Sequence, residues 1–259
     1  MSDTHHLLHS HLTTLKLPTF RREYEAVARR CAEADADYAT FLEQLAELEV
    51  QHRQAQAIAR RLKQASFPVV KELDQFDFAA APKVSKKRIT DLARCTYIDQ
   101  RTNLVLVGPP GTGKTHLAIA WGREACRRGY KVRFFTAAAL AQAYFEAREE
   151  KQVSRLEAHI RRCDLIVIDE LGYVPLDRLS AEHLFGFFSQ CYEITSLIVT
   201  TNLPFAEWPQ IFAGDERLTG ALLDRLTHHV QIVEMEGDSY RLRSRRSRGT
   251  KQKGGAASK

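Results

Sequence analysis

Apolar residues in the first 66 positions repeat with the period of an α-helix. Phe20, Tyr24, Val27 and Cys31 are spaced at i, i+4, i+7 and i+11, and similar spacing continues to about residue 62. Glycine is absent from this stretch, and its single proline, Pro18, stands just before the first repeat. The pattern predicts two or three amphipathic helices.

These helices predict a small all-helical N-terminal domain over residues 1–68, which ends at Pro68. A chain of about 60 residues makes a marginal core alone. The domain therefore either packs on the rest of the protein or serves as an interaction or DNA-binding module, and the sequence leaves both readings open.

The hydrophobic pattern changes from about residue 75. Five short β-rich runs follow, and helix-compatible sequence comes after each of the first four; the runs are residues 103–108, 130–137, 163–171, 196–202 and 230–235. The middle runs are continuously apolar, as in strands that are buried on both faces. The pattern predicts an α/β domain over residues 69–240, with a parallel sheet sandwiched by helices.

The composition limits the cellular compartments and the kinds of site that we expect for this protein. The chain has 259 residues, and its five cysteines are scattered without the spacing of a zinc site or a disulfide framework. No apolar run approaches the ~18–20 residues of a membrane span. We therefore expect a soluble cytoplasmic protein with no membrane partner.

Positive charge is concentrated in residues 241–259, "RLRSRRSRGTKQKGGAASK". This segment holds eight Lys and Arg residues and no acid, so the net charge of +6 leaves about −2 for residues 1–240. We expect a basic, disordered tail. It is suited to the phosphate backbone of nucleic acid, although a solvated end that aids solubility has the same composition.

The segment "GPPGTGKT" fits the phosphate-binding pattern G-x-x-x-x-G-K-[ST] at Gly108, Gly113, Lys114 and Thr115. It stands between an apolar strand and a predicted helix, so that its N–H groups and the helix N-terminus face an anion. We expect Lys114 to reach the β- and γ-phosphates of a nucleotide and Thr115 to bind Mg²⁺.

Polar residues end two further predicted strands. "LIVIDE" places Asp169 and Glu170 at the carboxyl end of a strand, where parallel sheets bind ligands. Asp169 is the candidate partner of Mg²⁺, and Glu170 is the candidate base for an attacking water. The same two residues after a strand are also typical of a helix N-cap. Asn202 ends "LIVTTN". Its amide can hold the water or sense the γ-phosphate, or the residue simply forms a turn.

Arg225 follows an apolar helical stretch in "GALLDRLTHH", and Arg217 lies two turns earlier. No earlier arginine is tied to the phosphate loop, and a neighbouring subunit can supply an arginine to such a site. As an isolated residue, Arg225 is more typical of a surface ion pair than of a catalytic site.

Five segments occur together and in order: "GPPGTGKT", "LIVIDELGY", "TTNLPFAEW", "ALLDRLTHH" and "GDSYRLR". In this combination the chain resembles the IstB family of insertion-sequence transposition helpers, relatives of the DnaC helicase loaders within the AAA+ ATPases. The resemblance extends over residues 1–245. It implies a protein that binds ATP and double-stranded DNA, self-assembles into a ring or spiral, and assists a partner transposase in selecting target DNA.

The resemblance also implies roles for individual residues. Asp169 and Glu170 correspond to Walker B, Asn202 to sensor 1, and Arg225 to an arginine finger that acts on a neighbouring subunit. Walker A and the position after it bind the nucleotide: Gly108, Pro109, Pro110, Gly111, Thr112, Gly113, Lys114, Thr115 and His116.

Two further expectations follow from the resemblance. Phe76 or Phe78, in the aromatic stretch before the sheet, approaches the adenine. Only one strand and the basic tail follow Arg225, so the usual helical lid is absent or minimal, and Arg217, Arg241 and Arg243 have no assigned contact with nucleotide.

Other functions are less compatible with the sequence. A phosphotransferase for a small molecule would have an acceptor-binding insert and a mobile lid. A non-enzymatic nucleotide-binding adaptor would lack Glu170, which is present here. A replicative helicase loader has the same ATPase core and stays the alternative. The two classes differ in what the N-terminal helices bind, and the sequence of these helices does not identify a partner. Together with these residues, the resemblance implies an ATPase whose inter-subunit site serves as a switch.

Overall fold

The computed structural model describes residues 2–81, 83–173 and 176–236. The chain divides into two compact units between Arg60 and Arg61. The sequence predicted a boundary at residue 68, whereas the observed division lies inside the last helix of the N-terminal region. The predicted basic tail, 241–259, lies outside the described residues.

The first unit is built from helices α1 (Ser2–Thr14), α2 (Pro18–Glu33) and most of α3 (Tyr38–Ala65). Val27, Cys31 and Leu45 form its small core, with Phe20 and Tyr24 packed against them. The helical repeat predicted from these residues is therefore confirmed. Pro18 begins α2, where its missing N–H costs no hydrogen bond and its fixed φ suits a helix.

A linker with short helices joins α3 to the sheet. Two 3₁₀ turns, Leu73–Gln75 and Phe78–Ala80, precede α4 (Lys86–Leu92) and α5 (Thr96–Asp99). Asp77 caps the second turn by accepting from the N–H groups of Ala79 and Ala80.

The second unit contains five strands, and all of their pairings are parallel. The strands are β1 (Asn103–Val107), β2 (Val132–Thr136), β3 (Leu165–Leu171), β4 (Ser196–Thr201) and β5 (Val230–Glu234), in the spatial order β2-β3-β4-β1-β5. Each lies within a run predicted from the sequence. Parallel strands need crossover connections, and here helices supply them. These are α6 (Lys114–Arg127), α7 (Ala137–Glu149), α8 (Val153–Ile160), α9 (Arg178–Cys191) and α10 (Glu216–Thr227).

Both faces of the sheet are buried. Along β1, Leu104 and Leu106 belong to one apolar cluster, while Val105 belongs to the other. The first cluster packs against Leu117 and Trp121 of α6, and the second contains residues of α7, α9 and α10. This confirms the prediction of a parallel sheet covered by helices on two sides.

The described chain stops soon after β5. The prediction that a helical lid is absent or minimal concerns residues after β5, of which the structure describes only 235 and 236. None of the helices in the described ranges is both long and apolar enough to cross a membrane.

Candidate nucleotide-binding site

The phosphate-binding loop connects the end of β1 to the start of α6. Gly111 and Gly113 have φ angles of 84° and 98°, which other residues adopt only with strain. A Cβ atom on Gly113 would lie 2.7 Å from Cε2 of Phe76. Glycine at position 113 is therefore required both by the backbone and by the close approach of an aromatic ring.

Hydrogen bonds hold the loop in a closed turn. The Lys114 ammonium donates to the carbonyl oxygens of Gly108 and Pro109, at 2.6 and 2.8 Å. Thr112 donates to the Pro109 carbonyl at 2.9 Å. Lys114 is the first residue of α6, so its charge lies at the helix N-terminus, where phosphate groups bind favourably.

A cavity of about 590 Å³ opens beside this loop at the carboxyl end of the sheet. A volume of this size suits a ligand such as a nucleotide. Three parts of the chain line it: the loop from Pro110 to His116, the linker, and the ends of β3 and β4. The lining from the linker and strands consists of Val69, Lys71, Gln75, Phe76, Asp77, Ala80, Ala81, Glu170, Tyr173, Thr200, Thr201 and Asn202.

Seven residues of the segment 69–81, here called the linker wall, line the cavity. Phe76 is buried and packs edge-on against Phe78 and against His116, with ring centroids 4.9 and 5.4 Å apart. His116 also hydrogen-bonds the carbonyl oxygen of Glu72 at 2.8 Å. Of the two phenylalanines predicted near the adenine, Phe76 lines the cavity, whereas Phe78 contacts Phe76 and is not among the described lining residues.

The carboxylate of Glu72 ties the linker wall to α6. It accepts hydrogen bonds from Arg123 at 2.6 and 2.9 Å and from Arg127 at 2.7 Å. Burial raises the pKa of Glu72, but the hydrogen bonds and charges of Arg127 and Arg123 lower it by more, so the pKa lies below its ordinary value of 4.5. We call these three residues the Glu72 clamp.

The acidic end of β3 contacts the loop directly. Asp169 is buried, and its Oδ1 accepts a hydrogen bond of 2.9 Å from Thr115. Glu170 is exposed, lines the cavity and has a φ angle of 62°, in the left-handed region. Adjacent residues of one strand thus face opposite ways: Asp169 turns inward to Thr115, and Glu170 opens into the cavity.

Asn202 follows β4 and also lines the cavity, beside Glu170. The strand before Asn202 was predicted to lie beside the other two strands of the site, and β4 does lie between β3 and β1. Asp169 is not among the described residues that line the cavity, but its Oδ1 accepts hydrogen bonds from Thr115 and Thr200, which both line it.

Arg225 is not among the residues that line the cavity. It is in the last turn of α10, where it donates to the Ala221 carbonyl at 2.7 Å and its guanidinium lies 5.1 Å from the ring centroid of Phe185. Among the described residues that line the cavity there is no arginine. Arg217 is exposed at the start of the same helix, and Arg241 and Arg243 are outside the described residues.

Sequence reasoning missed two parts of the site. One is the pair Thr200 and Thr201, which end a buried strand directly after the apolar residues 197–199. Hydroxyl groups in that position were a usable signal. The other is the Glu72 clamp, whose members are far apart in sequence. No local pattern marks Glu72 as the partner of two arginines on α6.

The order β2-β3-β4-β1-β5, a phosphate-binding loop after β1 and an acidic pair on β3 define a P-loop nucleotide-binding domain of the AAA+ class. The chain belongs to the family of IstB-like ATP binding proteins, whose family model matches residues 10–248. Membership in this family supports ATP binding.

Individual relatives agree with this assignment. A Geobacillus stearothermophilus protein named as the ATP-binding protein of insertion sequence IS5376 is 40% identical over 249 residues, which are 95% of this chain and 98% of that protein. Its counterpart in insertion sequence IS21 of Pseudomonas aeruginosa is 36% identical over 244 residues, covering 94% and 92%.

A solved structure agrees at the level of the fold. The DnaA protein of Aquifex aeolicus, solved with AMPPCP bound, superimposes with a TM-score of 0.54 at 22% identity, over 67% of this chain and 52% of that chain.

Proposed function

We propose that this chain binds ATP together with Mg²⁺ in the cavity beside the phosphate-binding loop and hydrolyses it. The observation that carries the proposal is the 2.9 Å hydrogen bond between Thr115 and Asp169, because it joins the loop to the acidic end of β3. A hydroxyl and a carboxylate are oxygen ligands of the kind that Mg²⁺ prefers. The donor set therefore fits the metal.

Each residue of the site has a distinct task in this proposal. The loop N–H groups and the Lys114 ammonium bind the phosphates, and Thr115 with Asp169 holds the metal. Glu170 orients and activates the attacking water, which Asn202 helps to position. When bound, Mg²⁺ neutralises negative charge on the phosphate oxygens.

Arg225 completes the site of a neighbouring subunit in the proposed mechanism. Phosphoryl transfer is accelerated by a cation that meets the charge of the transition state, and an arginine supplied in trans is a common source. The absence of arginine from the described cavity lining supports a source outside the subunit. The active form is then a homo-oligomer, either a ring or a helical assembly, and hydrolysis serves as a switch that reports assembly.

The partners we propose are double-stranded DNA and the transposase of the same insertion sequence, with the ATPase assisting target selection in the cytoplasm. The names of the relatives, which place them in insertion sequences, support this setting. They favour a transposition helper over a helicase loader, because likeness to replication proteins is confined to the fold. Residues 241–259 add eight positive charges suited to DNA.

The variant Glu170→Gln tests hydrolysis and assembly together. We expect it to bind ATP as tightly as the wild type, because the proposal assigns phosphate binding to the loop and Lys114 and not to Glu170. Hydrolysis of ATP should be at least about 100-fold slower. With ATP and duplex DNA at low salt, electron microscopy should show assemblies that persist longer than those of the wild type.

Glu149→Gln is the matched control, because Glu149 is an exposed glutamate at the end of α7. It should hydrolyse and assemble like the wild type. Normal hydrolysis by Glu170→Gln would refute the role of the base. Monomers in the presence of ATP and DNA at low salt would refute assembly. An affinity for DNA that does not change with salt concentration would argue against contacts with the phosphate backbone.

A further inference from the structure

The parallel pairing of β3 and β4 is interrupted at the acidic pair. Ile168 pairs with Val199, but the next pair in register is Leu171 with Thr201. Two residues of β3, Asp169 and Glu170, therefore face the single residue Thr200 of β4. This is the arrangement of a β-bulge, which redirects side chains and leaves a backbone group outside the ladder.

The hydroxyl of Thr200 contacts both residues of the bulge. It accepts a hydrogen bond of 3.0 Å from the N–H of Glu170. It also donates a short hydrogen bond to Oδ1 of Asp169, the same oxygen that accepts from Thr115. A hydroxyl has one proton to donate and lone pairs to accept with, so both contacts form at once.

These contacts bear on the geometry of the acidic pair. Glu170 has a φ angle of 62°, a left-handed conformation that costs a residue with a side chain about 1–2 kcal/mol. The bond from its N–H to Thr200 offsets part of that cost and holds the turn that aims Glu170 into the cavity. Thr200 is about 1% exposed, so water does not readily replace the hydroxyl.

We propose that Thr200 is a positioning residue for hydrolysis: its hydroxyl sets the carboxylate of Asp169 and the backbone of Glu170 relative to each other. This inference rests on the proposed ATPase function. It assigns to β4 a part in the site that is separate from that of Asn202, because Thr200 acts through the two carboxylate residues and not on the nucleotide.

The test is a pair of substitutions, Thr200→Val and Thr200→Ser. Valine keeps the shape of threonine and removes both hydrogen bonds, whereas serine keeps the hydroxyl. For Thr200→Val we expect kcat to fall roughly 10- to 100-fold, because small misplacement of a reacting group has effects of that size. The Kd for a slowly hydrolysed ATP analogue should change less than about twofold, and Thr200→Ser should restore most of kcat.

A second measurement does not depend on catalysis. In the protein without nucleotide, amide hydrogen exchange at Glu170 should accelerate roughly tenfold or more in Thr200→Val, since one hydrogen bond of about 1.4 kcal/mol corresponds to a factor of ten. Exchange in Thr200→Ser should stay close to that of the wild type.

Thr195→Val is the matched control. Thr195 is a buried threonine just before β4, at the opposite end of the strand, and donates to the Cys163 carbonyl at 3.1 Å. Its substitution should lower stability without changing kcat or the exchange of Glu170.

The proposal is overturned if Thr200→Val hydrolyses ATP at the wild-type rate, or if Glu170 exchange is unchanged in that variant. It is also overturned if Thr200→Ser is as impaired as Thr200→Val, because a role in packing alone would then suffice. If the wild type does not hydrolyse ATP, the proposed function fails, while the exchange measurement still decides whether Thr200 holds the bulge.

Discussion

Gly113 shows how a single residue links the phosphate loop to the linker wall. Its φ angle of 98° permits the turn into α6, and its missing side chain leaves room for the ring of Phe76. Phe76 in turn packs on His116. The loop and the wall therefore depend on each other through contacts of a few side-chain atoms, and a change of one methyl group is sufficient to disturb both.

Gly113→Ala should lower the free energy of unfolding by at least about 1–2 kcal/mol, the cost of a left-handed conformation for a residue with a Cβ. It should also weaken ATP binding, because the new methyl group displaces Phe76. Urea unfolding followed by tryptophan fluorescence measures the first effect, and titration with an ATP analogue measures the second.

Gly220→Ala is the matched control for this prediction. Gly220 lies in α10, and a Cβ there would meet nothing within 4 Å. The substitution should raise the free energy of unfolding by about 0.5–1 kcal/mol, because alanine favours a helix more than glycine does. A Gly113→Ala protein as stable as the wild type would contradict the close approach of Phe76.

At the scale of elements, the linker wall and α6 are joined by the Glu72 clamp. Two side chains of the clamp are largely removed from water, since Glu72 is 22% exposed and Arg123 is 13% exposed, whereas Arg127 is 37% exposed. The first 3₁₀ turn of the wall begins at the residue after Glu72. The clamp therefore holds the segment that carries Phe76 against the helix that carries Lys114.

Glu72→Gln should reveal the clamp through the pH dependence of stability. The pKa of Glu72 is lower in the folded protein than its ordinary value of 4.5, so its contribution is present above that pH and is lost as the pH falls below it. We expect the wild type to exceed Glu72→Gln by about 1–2 kcal/mol at neutral pH, and the difference to shrink below about pH 4.5.

Tryptophan fluorescence suits this measurement because Trp121 and Trp208 both lie in the second unit. Glu124→Gln is the control: Glu124 pairs with Arg127 and Arg128 on the surface of α6, and such pairs contribute about 0–1 kcal/mol. A difference between the wild type and Glu72→Gln that stays constant from pH 7 to pH 3 would rule out the ionised clamp.

For the whole molecule, the central feature is that most of the proposed site lies within one chain. The second unit brings the loop, Glu170 and Asn202 to one cavity, while Arg225 is on α10 and outside the described cavity lining. Under the proposed mechanism, two neighbouring subunits form one active site, which makes hydrolysis a property of the assembly.

Arg225→Ala and Lys114→Ala should each lack ATPase activity, and a mixture of the two should recover part of it. In a random mixture of equal amounts, about a quarter of the interfaces would combine an intact loop with an intact Arg225, so recovery near that fraction is expected for an arginine supplied in trans. Steady-state phosphate release across a range of mixing ratios measures this.

Arg217→Ala serves as the comparison, because Arg217 is an exposed arginine at the start of the same helix. It should keep its activity if Arg225 is the residue that acts. If Arg217→Ala loses activity and Arg225→Ala does not, Arg217 and not Arg225 is the arginine that acts on the neighbouring subunit. A mixture of Arg225→Ala and Lys114→Ala that shows no recovery would contradict a shared site.

The sequence alone determined the features that are encoded locally. The helical repeat around Val27, the five strands and the loop from Gly108 to Thr115 each depend on residues that are close in the chain. Their backbone conformation follows from side-chain periodicity and from the freedom of glycine. The positions of Asp169, Glu170 and Asn202 were also predictable, because the ends of parallel strands meet at one edge.

Only the tertiary structure decided which of these residues touch. The bulge at Asp169 and Glu170 depends on the register between β3 and β4, and an apolar run carries no mark of where its register shifts. The Glu72 clamp joins residues that are 51 and 55 positions apart. The division at Arg60 and Arg61 arises because α3 continues beyond the first core. Such contacts are selected by the packing of whole elements, and no short segment contains the information that specifies them.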